Sequence, residues 1–204
     1  MNPPPDVLVM DLGGVTCRWL PDRRLTALSE LCGLPAETID QLVFVSGFDD
    51  AGERGRFSRD EFVGELLSLL GLISTPDLAD AARGAWAVAF EPDARVLKLV
   101  RAASCRAALF TNNGPLLEAA LIEDLTEVGN AFSQFLFSWR LGTTKPDPAA
   151  FERATERLDV DPGAIFFVDD SQANVDAAVA AGWRAHRYTN SLNLQAALTD
   201  VGLL

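Results

Sequence analysis

The sequence is short of several things that define whole classes of protein. Its three cysteines, Cys17, Cys32 and Cys105, lie far apart with no C-x-x-C pair, which fits a reducing compartment and speaks against both a disulfide framework and a zinc site. Basic residues are scarce: 17 Lys and Arg face 29 Asp and Glu, and the formal net charge of −12 makes nucleic acid or an anionic membrane surface a poor partner. No apolar run approaches the roughly 18 residues of a membrane span. The segment Met1 to Asp6 carries no basic region, so neither secretion nor membrane insertion is expected and the cytoplasm is the expected compartment. There is no fixed-period repeat and no low-complexity tract beyond Pro3-Pro4-Pro5. Oligomeric state leaves no trace in the residues.

What is present is enough apolar material for a core: 204 residues, 49% hydrophobic, fit one elaborated domain or a core with a small insert. Val7-Leu8-Val9-Met10 reads as a buried parallel strand that delivers Asp11 at its carboxyl end, where open α/β sheets bind ligands; Gly13 and Gly14 follow. From about residue 22 to 90 the apolar spacing is helical, through Leu25, Leu28 and Leu31, then Ile39, Leu42 and Val43, then Phe62, Leu66, Leu69 and Leu70. Ser58 with Glu61 predicts a capping box, and Thr75-Pro76 predicts a second capped start. Beyond residue 93, helical segments alternate with β runs at 107–110, 135–137, 165–168 and 184–188. The expected fold is therefore α/β, a Rossmann-like parallel sheet with helices on both faces and a helical cap inserted after the first strand. The domain boundaries follow as 1–16 and 93–204 for the core and 17–92 for the cap.

The later β runs end in a particular chemistry: Thr111-Asn112-Asn113, then Lys145-Pro146-Asp147-Pro148, then Asp169-Asp170. If the strands are parallel and adjacent, these ends meet Asp11 on one sheet edge. Turn formation by Thr111 and Asn112, and helix capping by Asp147, Asp170 or Ser171, remain open readings of each motif taken singly. Three carboxylates in one small volume repel one another unless a hard divalent cation sits among them, and Mg²⁺ prefers oxygen ligands. Asp11, Asp169 and Asp170 are accordingly the candidate metal ligands. Lys145 as a point charge, and the Thr111 hydroxyl and Asn112 amide as donors, would hold a phosphate. Asp11 would attack phosphorus to form an aspartyl phosphate, with Thr111 and Lys145 as its catalytic companions.

These motifs resemble, in order, those of the haloacid dehalogenase superfamily, whose members are mostly Mg²⁺-dependent phosphatases. Asp11-Leu12-Gly13-Gly14-Val15 matches the nucleophile loop, Leu109-Phe110-Thr111-Asn112-Asn113 the second motif, Lys145-Pro146-Asp147-Pro148 the third, and Phe167-Val168-Asp169-Asp170-Ser171 the fourth, with Asn174 and Asp176 behind it. The resemblance implies hydrolysis of a small phosphorylated metabolite, a Gly13 backbone carbonyl on the metal, and a cap that selects substrate. In most phosphatases of that family the residue two after the nucleophile is a second aspartate that shuttles the proton, whereas here it is Gly13. General acid-base catalysis contributes 10² to 10⁴ in rate, so its loss costs roughly 3–5 kcal/mol. A leaving group that departs without a proton, such as an anomeric sugar hydroxyl or an acyl or aryl oxygen, suffers least. Members with an Asp-Leu-Gly start include sugar-1-phosphate phosphatases.

Three rival readings stand beside this one. A metal-independent dehalogenase of the same superfamily has no use for Asp169-Asp170. A signalling receiver domain places its acidic pair first in the chain, not last. A phospho-ligand-binding protein with little turnover is the more serious rival, because a site with Gly13 could hold a phosphorylated ligand, or a stable phosphoaspartate, without efficient hydrolysis. In the cap, Asp49, Asp50, Glu53, Arg54 and Arg56 read as solvated loop charge, with Arg18 or Arg54 as weaker candidates for a substrate hydroxyl. The tryptophans read as packing, and His186 as a structural imidazole. Cys17 is assigned no chemistry.

Overall fold

The computed structural model describes residues 3–204. Strand β1 (Val7–Met10) leads through a loop to β2 (Cys17–Trp19); β3 (Phe90–Pro92), β4 (Arg106–Thr111), β5 (Gln134–Phe137), β6 (Ile165–Asp169) and β7 (Arg184–Arg187) follow. Five of these form a parallel sheet in the order β5-β4-β1-β6-β7. The central β1 is apolar at every position because helices cover both sheet faces. Its side chains alternate, Leu8 and Met10 joining one apolar cluster while Val7 and Val9 join the other. The second cluster contains an aromatic group, Phe110, Phe151, Phe167 and Trp183, meeting mostly edge to face.

Between β2 and β3 the chain is helical, as the periodicity predicts. It runs through Pro21–Cys32, Ala36–Ile39, a π-helical turn at Asp40–Val45, Phe48–Glu53, Arg59–Leu69 and Pro76–Ala87. Ser58 and Glu61 form the capping box, and the Thr75 hydroxyl accepts from the Leu78 amide. The short ribbon at the ends of this insert is a finding that sequence reasoning missed: β2 and β3 pair antiparallel, Cys17 with Pro92 and Trp19 with Phe90. Three-residue strands are too short to show a period of two. The insert does not stand apart. Phe62, Leu66 and Trp86 share one apolar cluster with Leu116, Leu117 and Ala120 of the core helix Pro115–Glu123. Among the described residues no helix is long and apolar enough to cross a membrane.

Candidate active site

Sheet register assembles the site. Met10 pairs with Leu109 on one side and Val168 on the other, so Asp11, Thr111 and Asp169 emerge together at the carboxyl edge of β1, β4 and β6. The Thr16 hydroxyl donates to the Asp11 carbonyl at 2.6 Å, and the Cys17 amide to the Leu12 carbonyl at 2.8 Å, folding the loop after Asp11 back on itself. Gly14 is a position only glycine fills well: its φ is +84°, and a Cβ there would run into the Asp170 carboxylate.

Lys145 lies buried at the centre. Its ammonium donates to Asp11 Oδ1 at 2.7 Å, Asp169 Oδ2 at 2.8 Å and the Phe110 carbonyl at 2.8 Å. These three acceptors use all three protons, so a phosphate reaching Lys145 has to displace one of them. That differs from the free cation expected from the sequence; in this structure Lys145 chiefly holds two buried carboxylates together. Burial alone would lower its pKa, but Asp11 and Asp169 outweigh that and raise it. Burial, foremost, pushes the Asp11 carboxyl up to about 6 against the pull of Lys145, with Asp169 adding to the rise. Asp169 is held further by the Ser171 amide at 2.9 Å and by the Asn174 amide at 3.0 Å from each oxygen. The carboxylate of Asp170 is exposed and accepts no hydrogen bond among the described residues, and burial, then Asp169, raise its pKa. Oxygens of Asp11, Asp169 and Asp170 lie within 4.8 Å of one another.

The buried Thr111 hydroxyl accepts from the Asn113 amide at 2.7 Å, which leaves its own proton for a ligand. The Asn112 side-chain amide donates one proton to the Lys145 carbonyl at 2.8 Å and its oxygen accepts the Lys145 amide at 2.9 Å, so it clamps two motifs together and keeps a second amide proton beside the cavity it lines. Asp147 caps the helix Pro148–Leu158 through the Ala149 amide, and His186 contacts Asn193 at 2.6 Å; both are structural. Cys17 is buried, and burial, then Asp11, push its thiol up to about 12, far from reactive.

A cavity of about 280 Å³ opens between this edge and the insert. Asp11, Gly13, Thr111, Asn112, Lys145 and Asn174 line its floor, and Trp19, Arg24, Phe44, Asp49, Glu53 and Phe90 line the side facing the insert. One reading is corrected here, that of Asp49 and Glu53, while Arg18 and Arg54 are solvated surface charge. Arg18 pairs with Glu91 at 2.7 Å and Arg54 with Asp50 at 2.9 Å, both outside the cavity. Asp49 and Glu53 are not solvated loop charge, because the short helix Phe48–Glu53 turns them inward. Arg24, which the sequence did not single out, is 3% exposed and lies against the rings of Trp19 and Trp86 at 4.8 and 4.5 Å. Its one signal was a charge at the i−4 position from Leu28, on the helix face that is otherwise buried.

The chain matches the haloacid dehalogenase-like hydrolase family over residues 48–182. It is 26% identical to D-ribitol-5-phosphate phosphatase of Bacteroides thetaiotaomicron, over 95% of this chain and 97% of that one. It is 30% identical to Phosphatase MT3486 of Mycobacterium tuberculosis, over 88% of this chain and 85% of that one. Among solved structures, a haloacid dehalogenase family enzyme of Bacteroides thetaiotaomicron, in complex with magnesium and inorganic phosphate, has the same fold. Its TM-score is 0.75 at 20% identity, covering 90% of this chain and 94% of the other.

Proposed function

This chain belongs to the haloacid dehalogenase-like hydrolases, and from that membership we propose that it hydrolyses a small phosphomonoester, with Mg²⁺, through an aspartyl phosphate on Asp11. The observation that carries the reading is the close approach of Asp11, Asp169 and Asp170, whose oxygens lie within 4.8 Å of one another beside a buried lysine. An all-oxygen set with one exposed carboxylate suits Mg²⁺, which keeps several waters and few protein ligands. Asp11, Asp169, Asp170 and the Gly13 carbonyl would hold it, and the bound ion would supply positive charge to the transferring phosphoryl group. A metal-independent carbon-halogen hydrolase has no need of this acidic set.

Lys145 holds Asp11 Oδ1 in place and leaves the Oδ2 oxygen to the substrate. An Asp11 oxygen bonds phosphorus as the ester P–O bond breaks, and the departing oxygen keeps the electron pair. Thr111 directs its hydroxyl proton at the phosphoryl oxygens. Water then cleaves the aspartyl phosphate, releasing inorganic phosphate and restoring the carboxylate. With Gly13 at the usual acid-base position, esters whose leaving oxygen departs with least need of a proton are favoured, acyl and aryl phosphates and, ahead of alkyl ones, anomeric sugar phosphates. Residues 17–92 act as the cap, a reading supported by the pairing of Cys17 with Pro92 at the two ends of the insert.

A panel of phosphate esters, assayed with and without Mg²⁺ in wild type and Asp11→Asn, tests this. Rates are expected to require Mg²⁺, to rise as the leaving-group pKa falls among esters that lack hydroxyls, and to vanish in the variant. Turnover by Asp11→Asn overturns the mechanism, and rates indifferent to leaving-group pKa overturn the substrate reading. One stoichiometric burst followed by negligible turnover would instead favour a phospho-ligand-binding protein.

A further inference from the structure

The insert side of the cavity carries polar atoms that the phosphoryl chemistry does not use. Arg24 Nε and one terminal guanidinium nitrogen, and Asp49 Oδ1, are buried without any hydrogen-bond partner among the described residues. No ion pair joins Arg24 to Asp49 or Glu53, although all three line the same cavity. Leaving such groups unpaired costs about 1–3 kcal/mol each, and more for charged ones, so folded proteins seldom bury them without a reason. Arg24 and Asp49 both line a space that a ligand can enter.

The chemistry of that ligand is narrowly set. A second phosphate or carboxylate would meet Arg24 but also Asp49 and Glu53. An ammonium would meet Asp49 but also Arg24. An apolar group would leave Arg24 and Asp49 as they are. A hydroxyl both donates and accepts, so a pair of them can accept from the guanidinium and donate to the carboxylate at once. Trp19 and Phe90, with ring centroids 4.8 Å apart, add an apolar wall against which the C–H face of a sugar ring can rest. Glu53, which burial and then Asp49 and Asp50 push up to about 8, presents a protonated carboxyl beside Asp49 at neutral pH, able to donate as well as accept.

We propose that Arg24 and Asp49, with Glu53 beside them, form a hydroxyl-recognition subsite that holds the ring of an aldose 1-phosphate while its phosphorus faces Asp11. This rests on the phosphatase reading above and assigns the cap residues that select substrate. The test compares aldose 1-phosphates of several ring configurations with p-nitrophenyl phosphate. p-Nitrophenolate is the better leaving group of the two, so a sugar that outpaces it owes the gain to contacts with its hydroxyls. The best aldose 1-phosphate is expected to exceed p-nitrophenyl phosphate in kcat/KM by at least tenfold in wild type. Asp49→Asn and Arg24→Lys are each expected to lower that ratio at least tenfold, chiefly through KM for the sugar. A ratio within twofold of wild type in Asp49→Asn overturns the proposal, and because that change is nearly isosteric its result decides even if Arg24→Lys does not fold. If no ester is turned over, the phosphatase reading falls on its own. Equilibrium binding of the same sugar phosphates then decides the subsite: tenfold weaker binding in Asp49→Asn supports it, and equal binding refutes it.

Discussion

Gly13 and Glu53 show how single positions set what this site can do. A Cβ at Gly13 would meet Phe90 Cε1 at 3.5 Å and Trp19 Cβ at 3.8 Å, ordinary contacts, so the backbone there leaves room for a side chain. Gly13→Asp is therefore expected to fold and to speed hydrolysis of an alkyl phosphate by about 10²-fold, the lower end of what a general acid contributes. No gain on alkyl esters would show that the missing proton shuttle is not what limits them. At Glu53 the folded pKa of about 8 lies above the ordinary 4.5, so between these values the native chain holds a proton that the unfolded chain has lost. The stability this confers is complete below pH 4.5 and is lost as pH rises through about 8. Asp49 and Asp50 repel the charged form, while Arg24 and Arg54 favour it. Glu53→Gln is expected to flatten that loss and to be more stable than wild type at pH 9 by on the order of 1 to 2 kcal/mol, allowing for solvent screening of a half-buried group. Parallel denaturation curves at every pH would sink this.

At the scale of elements, legibility followed periodicity. The long apolar runs gave away β1, β4 and β6, and the polar residues at their ends placed Asp11, Thr111 and Asp169 on one edge. Capping chemistry at Ser58 and Thr75 was equally readable, because it needs only neighbours in the chain. What stayed hidden depends on tertiary direction. Asp49 and Asp50 are adjacent acids, yet the turn of Phe48–Glu53 sends one into the cavity and leaves the other to pair with Arg54 at 2.9 Å. The same holds for Asn112 and Lys145, whose types suit phosphate binding but whose side chains also bond partners 33 and 134 residues away. The wide turn at Asp40–Val45, which carries Phe44 to the cavity wall, has no sequence signature at all.

At the scale of the whole molecule, the acidic cluster couples metal to stability. The native state alone brings Asp11, Asp169 and Asp170 together, so Mg²⁺ at about 100 times its Kd is expected to add about 2.7 kcal/mol. For a chain of this size that raises Tm by roughly 5 to 10 °C. Asp170→Asn is expected to remove most of the shift, because Asp170 is the carboxylate not already committed to protein donors. An equal shift in the variant would place the ion elsewhere.

The apolar body that runs from Phe62 and Trp86 into Leu116, Leu117 and Ala120 has a further consequence. It leaves no seam along which the two parts can be cut. A fragment with the insert excised would present a greasy flank of the helix Pro115–Glu123 to water and clump, and the intact chain would melt in one step rather than shed its upper half first.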